Sequence, residues 1–61
     1  MPMKKLKAIR LAHGLTQEAL AKRMRRTQEH VAQLEAGRDP RLSTVRRVAK
    51  ALGVPISALV D

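Results

Sequence analysis

Apolar residues recur along this chain at spacings of three, four and seven, which is the period of a helix face. Leu6, Ile9, Arg10 and His13 share one face of a first segment, and Leu20, Ala21 and Met24 share one face of a second. In a third, Val31 and Leu34 face one way while Glu29, Ala32, Gln33 and Ala36 face the other. In a fourth, Val45, Val48, Ala49 and Leu52 form a clean apolar stripe, with Arg46, Arg47 and Lys50 outside it and directed away from the second and third segments. A short fifth runs from Ile56 to Val60. No segment alternates apolar and polar residues as a half-buried strand does, and no hairpin turn signal occurs. Helix boundaries are marked by Gly14, Thr16, Thr27, Gly37, Asp39-Pro40, Gly53 and Pro55. Thr16 and Thr27 are suited to N-caps because a hydroxyl can accept from a free N–H in the first turn. Leu15, Leu42 and Val54 fall in the connections, where they can plug the ends of a core. The expectation is an all-α bundle of five short helices, a single domain over residues 1–61.

Composition supports this. The 61 residues contain no Cys, so no disulfide or thiolate zinc site holds the chain together. With no Phe, Tyr or Trp, the core must be Leu, Val, Ile, Ala and Met, a mixture suited to helix packing. No apolar run approaches the roughly 18 residues of a spanning helix. The basic N-terminus lacks the apolar stretch of a signal peptide, so the expected location is the cytoplasm of a prokaryotic cell, or its nucleoid. Lys plus Arg is 13 against 5 Asp plus Glu, a net charge of +8 that points to a polyanionic partner. The absence of aromatic rings argues against single-strand stacking. There is no Ser/His/Asp set, no cysteine and no paired carboxylates, so no enzymatic constellation is expected and no cofactor is implied. His13 lacks a second ligand at metal spacing and reads as a packed or rim histidine.

The second and third helices carry the information. From Gln17 to Ala36 the chain gives Leu20, small Ala21 and Met24, then the short link Arg25-Arg26-Thr27, then Val31 and Leu34. Helices joined this closely cross steeply, and Ala21 lets them approach, which is the helix-turn-helix arrangement. Four stretches resemble the Xre/Cro-type family of phage repressors, Cro proteins, restriction controllers and antitoxins. They are Gly14-Leu15-Thr16-Gln17-Glu18-Ala19-Leu20-Ala21, Val31-Ala32-Gln33-Leu34-Glu35-Ala36-Gly37, Asp39-Pro40-Arg41-Leu42-Ser43-Thr44-Val45, and Ala49-Lys50-Ala51-Leu52-Gly53-Val54. The resemblance covers about residues 4 to 60. Two positions depart from it. The family has Gly, at positive φ, where this chain has Arg25, and a non-Gly residue there costs about 1 kcal/mol. It has an apolar plug where this chain has Arg26, which must point outward or lay its stem over the core.

The resemblance implies a regulator, a repressor, binding double-stranded DNA with its third helix in the major groove. It places Gln28, Glu29 and Gln33 at base edges, where glutamine can pair bidentately with adenine and glutamate can accept from cytosine N4. Backbone contacts are expected from Gln17 at the start of helix two, from Arg25, Arg26 and Thr27 in the turn, from His30 beside the recognition face, and from Arg38 and Arg41 in the following loop. His30 can equally be solvated, and each arginine can equally be ordinary surface charge. Arg10 and Glu35 both lie toward apolar faces and are best explained by each other; in relatives the matching positions form a partly buried ion pair. A module this small reads few base pairs, so specific binding implies a homodimer on a palindromic operator. The family pairs through its C-terminal region, which makes Ile56, Ser57, Leu59 and Val60 the candidate contacts, unless Ile56 and Leu59 only finish the core. The alternative function is an antitoxin that binds a toxin protein and represses its own operon.

Overall fold

A computed structural model describes residues 2–60. Five helices follow in order: α1 (Leu6–Ala12), α2 (Gln17–Met24), α3 (Gln28–Glu35), α4 (Leu42–Leu52) and α5 (Ile56–Val60). There is no strand among the described residues. The fold is all-α, as the periodicity predicts.

The helices begin and end for local reasons. Thr16 Oγ1 accepts from Ala19 N–H at 3.0 Å, and Thr27 Oγ1 accepts from His30 N–H at 3.2 Å, so α2 and α3 both start on a threonine cap. The first four helices end alike. In each, one N–H reaches back five residues and its predecessor reaches back three: Leu15 to Arg10 and Gly14 to Leu11, Arg26 to Ala21 and Arg25 to Lys22, Arg38 to Gln33 and Gly37 to Leu34, Val54 to Ala49 and Gly53 to Lys50. This is the Schellman closure, and its turning residue needs positive φ. Glycine fills that place at 14, 37 and 53, and Arg25 fills it after α2 with φ 58° and ψ 43°. The conformation expected where the family has Gly is thus kept by an arginine that carries its steric cost.

Val31, Val45, Val48, Leu6, Leu20, Leu34, Leu59 and Met24 are fully buried and make the centre of the core. α2 packs on α3 and α4, α1 on α3 and α5, and α4 on α5. Ala21 is buried and small, which lets α2 and α3 approach. Met3 is buried as well, and Lys5 N–H donates to Leu59 O, so the start of the chain is tied to α5. Leu15 and Val54 pack against the core as expected, whereas Leu42 is 49% exposed. It opens α4 instead of plugging the connection, because its turn faces outward. His13 is exposed, and its Nδ1 lies 2.9 Å from the carbonyl of Ile9 in its own helix.

Arg10 and Glu35 form the buried polar centre. Arg10 Nε donates to Glu35 Oε2 at 2.6 Å, Nη2 donates to Oε1 at 3.1 Å, and Nη1 donates to the carbonyl of Leu15 at 2.7 Å. Gln17 Nε2 donates to the same Glu35 Oε1 at 3.2 Å. The two charged side chains are 7% and 6% exposed. Burial pushes the Glu35 carboxyl up, but hydrogen bonds from Arg10 and Gln17 outweigh it and hold the group below the ordinary carboxylate value. The hydrogen bond to Glu35 likewise raises Arg10 above its ordinary value against the effect of burial.

Three stability results are expected. Glu35→Ala strands a buried guanidinium and should cost about 3 kcal/mol or more, enough to unfold so small a domain near 37 °C. Because the folded carboxyl is depressed, its contribution is present above the unfolded value of about 4.3 and fades as pH falls through the folded one. Melts of wild type and Glu35→Gln should therefore begin to converge as pH falls below the unfolded value and meet only below the depressed folded one; a gap unchanged by acid would show that the carboxylate does not hold the fold. Arg25→Gly relieves the left-handed arginine but adds freedom to the unfolded chain. It should leave stability equal or raise it by up to about 1 kcal/mol, read as an unchanged or higher Tm.

Candidate nucleic-acid interface

α3 carries the face of interest. Val31 and Leu34 are buried under it and fix its rotation. Gln28 and Glu29 are then exposed on its first turn, and Ala32 and Gln33 are half-buried one turn on. Glu35 closes the same helix and joins Arg10, so the ion pair anchors the end of α3 to α1.

On one flank, Gln17 begins α2. It is half-buried, and one of its amide hydrogens is committed to Glu35, which leaves a second. The N-terminal turn of α2 also presents free backbone N–H groups and the positive end of the helix dipole, suited to an anion.

On the other flank, a depression of about 390 Å³ lies between α3 and the start of α4. Arg26, His30, Arg38 and Arg41 line it, together with Asp39, Ser43 and Thr44. Four side chains that the sequence nominates for backbone contact are thus brought together. Arg26 points outward at this edge, and its Nη1 donates to the Arg25 carbonyl at 3.2 Å. Thr27 is exposed; its oxygen accepts from His30 N–H, and its hydroxyl hydrogen remains a donor.

Arg25 goes elsewhere. It lines a larger groove of about 690 Å³ between the end of α2 and α4, with Arg23, Arg46, Arg47 and Lys50. Here the expectation that Arg46, Arg47 and Lys50 face away from α2 is corrected. Arg47 Nη1 donates to the Met24 carbonyl at 3.1 Å, and Arg23 Nη1 donates to the Ala51 carbonyl at 3.4 Å. The carbonyls at a helix end lack helical partners, and a cation there also meets the negative end of the dipole. This groove is larger in volume than the first, but it does not include the outward residues of α3.

One contact escapes sequence reading altogether. Arg38 Nη1 donates to Gln33 Oε1 at 2.6 Å, joining a nominated base reader to a nominated backbone contact. The spacing of five becomes a contact because the chain reverses at Gly37.

The expectation for the C-terminal region also changes. Leu59 is fully buried in the core of its own chain, so its side chain is not available to a second copy. Ser57 is exposed, and Ile56 and Val60 are half-buried. Among the described residues no group of three or more His, Cys, Asp or Glu side chains is placed to hold a metal ion, and no helix is long and apolar enough to cross a membrane.

The immunity repressor protein of Bacillus phage phi105 is 42% identical over 57 residues, which covers 92% of this chain. The chain spans about 40% of the length of that relative. No solved structure gives a significant match. A family model described as helix-turn-helix matches residues 6–59, nearly the whole chain, and the protein belongs to this Xre-type helix-turn-helix family.

Proposed function

We propose that this domain is a sequence-specific double-stranded DNA-binding module of a transcriptional repressor, with α3 seated in the major groove. The observation that carries the proposal is the layout around α3. Gln28, Glu29 and Gln33 project from a helix whose rotation is fixed by burial, with an anion-suited helix start on one side and a cluster of arginines and histidine on the other. Base edges and two flanking phosphate rows need that order of groups. The similarity to an immunity repressor supports repression as the outcome.

The longest extent of the domain is 22 Å, about six base pairs at roughly 3.4 Å each. One copy therefore reads a half-site, and we infer a homodimer on a palindromic operator, with half-sites about 34 Å apart. Ile56, Ser57 and Val60 are the groups of α5 left for that pairing. Arg26, Thr27, His30, Arg38 and Arg41, with Gln17, are proposed to hold phosphates. Arg25, on the α2–α4 groove, is proposed at most as a peripheral contact.

Two measurements test this. If each of two copies neutralises about three to five phosphates, log affinity falls with log salt at a slope of roughly −5 to −9. Arg41→Ala should flatten that slope and weaken all sequences alike; a wild-type slope shallower than about −2 would exclude the basic surface as a footprint. Gln33→Ala, by contrast, should leave folding intact, since alanine is the better helix former. It should weaken cognate binding by about 1–3 kcal/mol and relax discrimination at one base pair per half-site, while affinity for random DNA barely changes. An equal loss on cognate and random duplexes would mean that Gln33 is not a base reader.

A further inference from the structure

We propose that Arg38 is a positioning residue that sets the hydrogen-bonding polarity of Gln33, so that Gln33 acts chiefly as a donor toward the base it meets. This rests on the reading of α3 as the base-reading helix. A free glutamine amide can flip end for end, and then it offers either its oxygen or its NH2 to the groove. Here it cannot do so without losing a contact. Arg38 Nη1 lies 2.6 Å from Gln33 Oε1, and a guanidinium has donors and no acceptor, so the atom facing it must be the amide oxygen. The cation holds one of the two lone pairs of that oxygen. It also draws electron density toward that end of the amide, which weakens the remaining lone pair and strengthens the Nε2 hydrogens as donors.

The consequence is a base preference. The bidentate adenine pair asks the oxygen to accept from N6 while Nε2 donates to N7. With Arg38 on the oxygen, N6–H must share it with a cation whose hydrogens converge on the same atom. N7 accepts in both purines and does not discriminate, but guanine O6 and thymine O4 ask only for a donor where adenine N6 presents one of its own. The position answering to Gln33 is therefore expected to favour guanine or thymine over adenine. This differs from the adenine pairing that the glutamine alone suggests. Arg38 retains four further N–H donors, enough to hold a phosphate at the same time, so a backbone contact and the polarity of a base contact meet in one side chain.

Arg38 is exposed, and its replacement leaves the core untouched. The probes are duplexes selected by the wild-type protein from a random pool, then permuted through all four bases at each position. Gln33→Ala locates the position that Gln33 reads. At that position the wild type should favour guanine or thymine. Arg38→Met, which removes the donors but keeps an unbranched apolar stem, should shift the ratio toward adenine by about tenfold. Arg38→Lys, still a donor without an acceptor, should keep the wild-type preference. Adenine preferred by the wild type, or an Arg38→Met variant that weakens every duplex equally with the preference unmoved, would overturn the positioning role and leave α3 as the reader. If Gln33→Ala relaxes no position at all, base reading by Gln33 fails and the positioning role fails with it.

Discussion

The relative placement of the first three helices depends on one buried carboxylate. Glu35 sits at the end of α3 and takes hydrogen bonds from Arg10 on α1 and Gln17 on α2, while Arg10 also holds the Leu15 carbonyl between those helices. Removing two charges from water is costly, and the attraction between them repays that only with good geometry and a partner for every buried polar atom. Both conditions are met: the carboxylate is engaged side-on, and no buried side-chain N or O among the described residues lacks a partner. The apolar packing of α3 on α2 is non-directional, and the ion pair adds a directional contact to it. The clamp fixes the angle, so the outward face of α3 and the start of α2 keep a set relation. Gln17 links the two tasks, since its amide serves the clamp and its backbone opens the anion-suited end of α2.

The ends of the helices show how far local sequence decides such a fold. Threonine caps and glycine stops mark the boundaries correctly, because each acts within a few residues through one hydrogen bond or one backbone angle. Arg25 was legible only through the resemblance, which puts a glycine there; no local signal marks it, yet the arginine adopts the left-handed conformation. The Arg10–Glu35 pair was legible too, because two opposite charges on inward helix faces have few other ways to be tolerated.

What sequence could not supply was long-range geometry. Leu42 is as apolar as Leu20, yet it faces water, because its place at the start of α4 is set by the preceding loop. Leu59 reads equally well as a surface contact or as core, and only the packing of α5 on α1 and α4 decides for the core. Arg47 lies on the polar side of an amphipathic helix, and its bond to the Met24 carbonyl follows from how α4 crosses α2. Within the candidate interface, the residue types on α3 were legible, but the Arg38–Gln33 bond needed the path of the chain around Gly37. The basic residues likewise divide between two grooves that adjoin at Ser43, a division that net charge cannot reveal.

The proposed function makes the polar face of α3 a reader of sequence and the surrounding cations a grip on phosphate. Its central claim is that binding depends on sequence, with one copy on each half of a symmetric site. Selection of bound duplexes from a random pool tests this most directly, with no assumption about the operator. The account predicts that repeated rounds converge on a palindrome whose half-sites are centred about one helical turn apart. A bound pool that stays as random as the starting one, despite strong retention on the protein, would contradict it and reduce the domain to a non-specific polyanion binder.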